Sequence, residues 1–129
     1  MDTKQLINKA KEAMENSYSP YSKFRVGAAL QTTNGEVFTG CNIENASFGG
    51  TNCAERTALF KAISEGYKNF NKIAIISDSE NYTAPCGICR QVLSEFSLDM
   101  EIIMANKNGD YTSKTLKELL PLAFTSEDL

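Results

Sequence analysis

Residues 72–105 contain three segments in succession, KIAIIS at 72–77, PCGICRQVLSEF at 85–96 and EIIMA at 101–105. The first and third segments are short, apolar and rich in β-branched residues, which is typical of buried strands. The middle segment is long enough for a helix, and its leading proline suits a first helical turn. The region therefore predicts a strand, a helix and another strand.

The residues before this region predict a helix, a hairpin and a second helix. The expected elements are a helix over 3–17, strands over 24–31 and 36–44, and a helix over 53–65. Asn34-Gly35 favours a tight turn between the two strands because both residues tolerate positive φ. Apolar residues at helical spacing identify both helices, and Gly66 suits the end of the second.

The C-terminal region is expected to add a short edge strand and a last short helix. Residues 108–110 (NGD) predict a turn into a strand near Tyr111, and Thr115 and Glu118 have the spacing of a capping box. This order of elements predicts an α/β fold in which a mixed sheet is covered by helices on both faces. No repeat or linker interrupts the pattern, so we interpret residues 1–129 as a single domain.

Composition excludes several classes of function. The 129 residues carry a net charge of −3, and the 13 Lys and Arg residues are scattered, unlike those of a nucleic-acid-binding surface. No apolar stretch has the length of a membrane span, and the N-terminus lacks the pattern of a secretory signal. We therefore expect neither a nucleic-acid nor a membrane partner, and a cytoplasmic location. In that reducing compartment the four cysteines favour metal binding over disulfides.

Three of the cysteines form a candidate metal site. Cys53 begins a Cys-Ala-Glu segment, and Cys86 and Cys89 belong to a Pro-Cys-x-x-Cys segment. Both segments fall at predicted helix starts, where the helix dipole and free N–H groups lower the pKa of a thiol. The chain has no histidine, but three thiolates can hold a zinc ion and leave a fourth position open for water. The nearby Glu55 can move the proton of that water.

Arg56 is the candidate for offsetting the charge of such a site. Three thiolates around Zn²⁺ leave negative charge in excess, which would raise the pKa of the bound water. Arg56 follows Cys53 by three positions and therefore lies on the same side of the helix. We predict that its guanidinium donates hydrogen bonds to the cysteine sulfurs and draws off charge.

Each of these residues also has a simpler interpretation. Cys86 and Cys89 alone could be a redox pair, and Glu55 could close a capping box with Asn52. Cys41 is interpreted as a small buried hydrophobic residue in the middle of a strand. If it were instead a fourth ligand, the protein would be a closed, non-enzymatic zinc module.

Taken together, these segments resemble the zinc-dependent nucleoside deaminases. The signature of that chemistry is His-x-Glu followed by Pro-Cys-x-x-Cys, with an all-cysteine variant. This chain has the all-cysteine form, with CAER at 53–56 and PCGICRQ at 85–91. It is similar in particular to the small homotetrameric cytidine deaminases. The similarity spans nearly the whole chain, including YSPYSKF at 18–24, VGAAL at 26–30 and GCNIENA at 40–46.

The resemblance implies a fold, a cofactor and a set of site residues. The fold would be a three-layer α/β/α sandwich with a mixed five-stranded sheet. The implied ligands of one zinc ion per chain are Cys53, Cys86 and Cys89, and the implied proton shuttle is Glu55. The implied substrate contacts are the ring of Phe24 against the pyrimidine, Asn42 and Glu44 with a ribose hydroxyl, and backbone groups near Ala54 with the base.

The resemblance also implies a homotetramer with pockets shared between subunits. Ala46, Phe48 and Phe124 would help to complete the pocket of a neighbouring subunit. Phe48 stands where the family often has tyrosine, so one hydroxyl contact is absent at that position.

The implied reaction is the hydrolytic deamination of cytidine and 2′-deoxycytidine to uridine and 2′-deoxyuridine, with release of ammonia, in pyrimidine salvage. In this hypothesis zinc-bound hydroxide attacks C4 of the base, while Glu55 carries a proton to N3 and then to the leaving amino group. Asn42 and Glu44 favour a free nucleoside over a free base, because groups built to bond a hydroxyl reject analogues that lack it. A deaminase of another aminated heterocycle, such as a nucleoside antibiotic, is the alternative within the same enzyme class.

Overall fold

The computed structural model describes residues 1–129 as a five-stranded sheet with helices on both of its faces. The helices are α1 (Thr3–Met14), α2 (Ala54–Ser64), α3 (Gly87–Ser94) and α4 (Leu116–Leu119). The strands are β1 (Val26–Thr32), β2 (Val37–Cys41), β3 (Phe70–Ser77), β4 (Glu101–Ala105) and β5 (Tyr111–Thr115). Two short 3₁₀ helices complete the elements, Phe48–Gly50 and Ser126–Asp128.

The sheet is mixed, with the strand order β2-β1-β3-β4-β5. β3 and β4 are parallel and are joined through α3, whereas the other three pairs are antiparallel. The three central strands are buried along most of their length, which explains why their sequences are almost continuously apolar. The predicted α/β architecture with a mixed sheet is confirmed.

Two core clusters lie on opposite faces of this sheet. α1 packs on one face, and α2, α3 and α4 pack on the other. Successive strand residues point to opposite faces, so Ile76 of β3 lies in the α1 cluster and Ile75 lies in the other. The three layers agree with the predicted sandwich.

Gly27 and Gly40 allow α1 and α2 to lie directly against the sheet. A Cβ atom on Gly27 would stand 2.0 Å from the carbonyl oxygen of Ala10 in α1. A Cβ atom on Gly40 would stand 2.5 Å from the backbone nitrogen of Ala58 in α2. Both distances are too short for any side chain, so the position of α2 depends on the close backbone approach that glycine permits in β2.

The second strand of the hairpin ends earlier than predicted. β2 stops at Cys41, so Asn42 and Glu44 follow the strand instead of lying on it. The side chain of Asn42 replaces one of the two backbone contacts with Val26. Its Oδ1 accepts a hydrogen bond from the N–H of Val26 at 3.0 Å, while the backbone N–H of Asn42 still donates to the carbonyl oxygen of Val26 at 3.2 Å. The two polar residues therefore belong to a loop.

Two helices begin slightly later than predicted. α2 starts at Ala54 and α3 at Gly87, so Cys53 and Cys86 occupy the N-cap positions. Pro85 consequently precedes α3 and does not lie in its first turn. A cysteine at an N-cap keeps its sulfur at the positive end of the helix without being part of the helix.

The last helix has the predicted cap, and none of the helices could span a membrane. The capping box predicted at the last helix is present, with the Thr115 side chain accepting from the N–H of Glu118. The helices all fall short of the length and apolar character required to cross a membrane.

Candidate active site

The three candidate cysteines meet where α2 and α3 begin. Cys53 and Cys86 are the N-cap residues of these helices, both with extended backbone angles, and neither side chain caps its own helix. Cys89 is buried in the first turn of α3. The arrangement brings the positive ends of two helix dipoles to the same group of sulfur atoms.

The spacing of the sulfur atoms fits a zinc ion. The Sγ atoms of Cys53, Cys86 and Cys89 all lie within 4.8 Å of one another, and those of Cys53 and Cys86 are 3.7 Å apart. Two Zn–S bonds of about 2.3 Å that meet at a tetrahedral angle hold their sulfur atoms about 3.8 Å apart. The cluster can therefore bind one zinc ion through three thiolates.

Cys41 lies apart from this cluster. It is the last residue of β2 and is partly exposed, so the prediction of a buried position in mid-strand is wrong. Its partial burial raises the pKa of its thiol. Because the sulfur cluster does not include Cys41, the closed zinc module lacks a fourth cysteine.

A hydrogen bond between Cys53 and Cys89 shifts the pKa values of the two thiols in opposite directions. A hydrogen bond from Cys89 lowers the pKa of Cys53 to about 5. The same contact, together with burial, raises the pKa of Cys89, so the prediction of a lowered pKa is wrong for that residue. Neighbouring thiolates repel one another, and a divalent cation is what would allow all of them to ionise together.

Glu55 lies in the first turn of α2 with its side chain inside the protein. The residue is only 4% exposed, and burial raises the pKa of its carboxyl to about 7. The negative charge of Cys53 acts in the same direction. The alternative of a capping box is wrong, because Cys53 occupies the N-cap and the Asn52 side chain donates instead to the hydroxyl of Thr57 at 3.0 Å.

Arg56 contacts the sulfur cluster, as its spacing predicted. Its Nη2 atom lies 3.3 Å from the Sγ of Cys53. Burial disfavours its charge, but hydrogen bonds to Cys53 and Cys89 outweigh this effect and raise the pKa of Arg56. Its Nε–H is buried without a hydrogen-bond partner. A charged donor at this distance withdraws negative charge from a thiolate.

A cavity of about 230 Å³ connects these residues with the loops that flank β1 and β2. The helix starts contribute Cys53, Ala54, Glu55 and Cys86 to its lining, and we call these residues the cysteine group. The loops contribute Ser22, Phe24, Asn42 and Glu44, and we call these residues the loop group. The other lining residues are Val26, Thr51, Asn52, Thr83 and Ala84.

Asn42 uses most of its amide group within the chain. Its Oδ1 accepts from the N–H of Val26 at 3.0 Å and from the hydroxyl of Ser17. Its Nδ2 donates to the carbonyl oxygen of Phe24 at 2.8 Å. An amide oxygen accepts two hydrogen bonds and an amide nitrogen donates two. One N–H of Asn42 is therefore left for a ligand.

Glu44 is held by two consecutive residues. Its Oε1 accepts from the backbone N–H groups of Tyr21 at 2.9 Å and Ser22 at 3.1 Å, and its Oε2 accepts from the Ser22 hydroxyl. The hydroxyl contact, aided by the two N–H contacts, holds the pKa of Glu44 below its usual range. A carboxylate oxygen accepts two hydrogen bonds, so Oε2 retains one free acceptor position.

The three residues predicted to complete the pocket of a neighbouring subunit do not line the cavity. Ala46, Phe48 and Phe124 are exposed, the two aromatic residues by 76% and 59%. The ring of Phe48 contacts Tyr21 edge-on, with centroids 6.0 Å apart. The carbonyl oxygen of Phe124 accepts from the side chain of Gln91 at 2.8 Å. Within one chain, these residues contribute nothing to the cavity.

The hydroxyl groups that support the site could not be predicted from the sequence. Ser22 lies in a segment that carried the resemblance but had no assigned role. The hydroxyl of Thr83 donates to the carbonyl oxygen of Ala105 at 2.8 Å and contacts the hydroxyl of Ser77 at 2.6 Å, which anchors the loop before Cys86. Serine and threonine in loops have no periodic pattern, so only the structure identifies their partners.

Comparison with protein families identifies a match over most of the chain. The family model for the cytidine and deoxycytidylate deaminase zinc-binding region matches residues 1–105. This range contains the whole cysteine group, the whole loop group and Cys89.

Individual proteins are similar over the full length. The cytidine deaminase of Halalkalibacterium halodurans is 52% identical over 100% of this chain and 98% of its own length. The cytidine deaminase of Sporosarcina psychrophila is 49% identical over 100% of this chain and 96% of its own. The crystal structure of cytidine deaminase from Burkholderia pseudomallei matches with a TM-score of 0.93 at 49% identity, covering 96% of this chain and 100% of that one.

Proposed function

The chain belongs to the cytidine and deoxycytidylate deaminase family, and from this premise we propose how its residues carry out the reaction. Its activity is the zinc-dependent hydrolytic deamination of cytidine. One observation carries the assignment. The sulfur atoms of Cys53 and Cys86 lie 3.7 Å apart, in a cluster of three, beside a cavity that Glu55 also lines.

Cys53, Cys86 and Cys89 are the proposed ligands of one zinc ion, with the fourth coordination position left to water. Zinc bound in this way supplies a Lewis acid that lowers the pKa of water and provides a nucleophile near neutral pH. Arg56 offsets the excess negative charge of the thiolates through its contact with Cys53. The N-termini of α2 and α3 act in the same direction.

Glu55 is the proposed proton shuttle. It removes one proton from the attacking water and delivers it to N3 of cytosine. It then carries the second proton of the same water from the oxygen now bonded to C4 to the amino group, which leaves as ammonia when the C4–N bond breaks and the C4 carbonyl forms. A carboxyl group whose pKa is about 7 can both accept and return protons near neutral pH.

Three members of the loop group are the proposed contacts for the sugar and one face of the base, namely Phe24, Asn42 and Glu44. The free N–H of Asn42 donates to a sugar hydroxyl, and the free acceptor position of Glu44 receives the proton of the same hydroxyl. Phe24 packs against the pyrimidine ring, and backbone groups near Ala54 bond with the base. Cytidine and 2′-deoxycytidine both carry a 3′-hydroxyl, so we propose both as substrates.

The proposed assembly is a homotetramer. Large apolar side chains are exposed in the 3₁₀ helix before α2, in the first turn of α3 and in the C-terminal tail, and exposed apolar surface of this kind marks contacts between proteins. They are Phe48, Ile88, Leu122 and Phe124. In this assembly Ala46, Phe48 and Phe124 help to complete the pocket of a neighbouring chain. Sedimentation as a single chain at assay concentration would contradict the proposal.

We also propose a cytoplasmic location, a role in pyrimidine salvage and a single domain over residues 1–129. All four cysteines are free, as expected in a reducing compartment. One continuous sheet contributes to both core clusters, which supports a single folding unit. Action on a free nucleoside suits the recovery of pyrimidines.

An ultraviolet assay of cytidine conversion tests the proposed function when it is combined with a zinc count. We expect one zinc ion per chain, loss of activity when a chelator removes the metal, and recovery when zinc is restored. Metal-free protein that converts cytidine at full speed would overturn the proposal. Zinc-loaded protein without deaminase activity would favour a structural metal site instead.

A further inference from the structure

Ser22 has no role in the chemistry proposed above, yet it connects the parts of the loop group. Its hydroxyl accepts a hydrogen bond from the backbone N–H of Phe24 at 3.0 Å and donates one to Oε2 of Glu44. Its own backbone N–H donates to Oε1 of Glu44 at 3.1 Å. One residue therefore contacts both oxygens of the carboxylate and the backbone of the aromatic residue.

These contacts fix the direction of the Ser22 hydroxyl. A hydroxyl has a single proton, and because the N–H of Phe24 occupies the acceptor side, the proton points to Glu44. Lys23, between the two partners, has a φ of 60°, a left-handed conformation that is uncommon outside glycine. The N–H of Lys23 bonds to the carbonyl oxygen of Ser19 at 3.0 Å, which holds this turn in place.

The Ser22 hydroxyl is the only group of the chain that bonds to Oε2 of Glu44. Oε1 has both acceptor positions filled by the N–H groups of Tyr21 and Ser22. No lysine or arginine forms an ion pair with Glu44 within 4.0 Å. Without the hydroxyl, the carboxylate is held through one oxygen and its other oxygen has no fixed partner.

We propose that Ser22 is a positioning residue for nucleoside binding, whose hydroxyl orients Glu44 so that the free acceptor position of Oε2 meets the sugar hydroxyl. This inference rests on the proposed function, in which Glu44 contacts that hydroxyl. Ser22 makes no hydrogen bond with Glu55 or the cysteines. Its hydroxyl therefore acts on substrate binding and not on the chemical step.

The Ser22→Ala variant tests this role through binding and kinetics together. We expect the KM for cytidine to rise about tenfold, as for the loss of a hydrogen bond to a charged group, while kcat stays within about twofold. The inhibition constant of uridine should rise by the same factor. That of 3′-deoxyuridine, which lacks the hydroxyl at issue, should change little.

Two further variants serve as controls. Ser22→Thr keeps a hydroxyl at this position and should restore the KM for cytidine. Ser19→Ala removes a hydroxyl from the same loop that contacts neither Phe24 nor Glu44, and its kinetic constants should match the wild type. The zinc content and unfolding temperature of each variant show whether the site and the fold are intact.

Glu44→Ala separates failure of this inference from failure of the proposed function. If Glu44→Ala raises the KM and Ser22→Ala does not, the positioning role is overturned while the sugar contact stands. If Glu44→Ala leaves the KM unchanged, the sugar contact itself fails. In the double variant, Ser22→Ala should add less than about twofold to the effect of Glu44→Ala, and full additivity would contradict positioning through Glu44.

Discussion

The cysteine group and the loop group line the same cavity, yet different interactions hold them in place. The cysteine group lies at the starts of α2 and α3, which are packed into a core cluster of 14 buried residues. The loop group lies between secondary-structure elements, and hydrogen bonds of Ser22, Asn42 and Glu44 hold it. Packing places the groups proposed to act on the base, whereas a few hydrogen bonds place the groups proposed to select the substrate.

The loop group should move more easily than the cysteine group. Each hydrogen bond contributes about 1 kcal/mol net, so the loop group can open locally at much lower free energy than the helices can move. Changes in the cysteine group should therefore alter kcat or zinc binding, and changes in the loop group should alter KM.

Glu55→Gln should give the largest effect and should separate the two groups most clearly. The amide keeps the shape of the side chain but cannot accept and return a proton, so kcat should fall by about 10²–10⁴-fold. KM and zinc content should stay close to the wild type, as measured by the ultraviolet assay and metal analysis. A variant that retains zinc and turns over at nearly the normal rate would refute the shuttle.

Arg56→Ala should have the next largest effect, about 10–100-fold on activity, with the fold retained. The contact of Arg56 with Cys53 draws charge from the thiolates, so its loss leaves the site more negative. Arg56→Lys keeps the positive charge but loses the planar guanidinium group with its several N–H donors. The activity of this variant should therefore lie between those of the wild type and Arg56→Ala. Unchanged activity and an unchanged pH profile in Arg56→Ala would remove this role.

Gly40→Ala and Gly27→Ala form a matched pair on opposite faces of the sheet. A methyl group on Gly40 would stand 2.5 Å from the nitrogen of Ala58 and would displace α2, and one on Gly27 would displace α1. Both variants should lose at least about 1–3 kcal/mol of stability in thermal unfolding. Only Gly40→Ala should also weaken zinc binding in competition with a chelator, because α2 follows Cys53 directly.

Equal loss of zinc affinity in both glycine variants would contradict this comparison. It would mean that the cysteine group depends on the whole sheet and not on the placement of α2. Equal stability of Gly40→Ala and the wild type would show that α2 can shift without cost.

Asp78→Asn should have the smallest effect, confined to the anchoring of the loop group. Arg25, next to Phe24, binds both oxygens of Asp78 at 2.9 and 3.0 Å. These hydrogen bonds hold the pKa of Asp78 below its usual range. Exposed ion pairs contribute little, so the unfolding temperature at neutral pH should fall by no more than a few degrees.

The Asp78 carboxylate should stabilise the fold only at pH values where it is ionised. A carboxyl with a lowered pKa in the folded protein stabilises the fold above its unfolded pKa of about 3.9, and this contribution is lost as pH falls through the folded value. The difference between wild type and Asp78→Asn should therefore be constant from about pH 5 to 8 and shrink below about pH 4. A difference that grows on acidification would contradict this account.

The sulfur cluster of Cys53, Cys86 and Cys89, with Arg56 beside it, could be predicted from the sequence because helix geometry relates these residues. Arg56 lies three positions after Cys53, and Cys89 three positions after Cys86, so each pair shares one side of a helix start. The apolar segments likewise predicted the sheet and its covering helices. Helix starts were less accurate, because a cysteine N-cap has no sequence signal comparable to that of serine or aspartate.

The loop group could be named from the resemblance, but its support could not be predicted. The partners of the Asn42 side chain lie 16 to 25 residues away, in a segment without periodicity. These bonds also explain why the predicted strand over 36–44 was too long. Cys41, predicted as buried, lies where the chain leaves the sheet and is therefore partly exposed.

X-ray absorption at the zinc edge of the purified protein tests the central claim most directly, because it counts the atoms around the metal. We expect three sulfur atoms at about 2.3 Å and one oxygen or nitrogen at about 2.0–2.1 Å. That result would establish a three-thiolate site with one position open to water. Four sulfur atoms around the zinc, or only two, would contradict the account of how this cavity activates water.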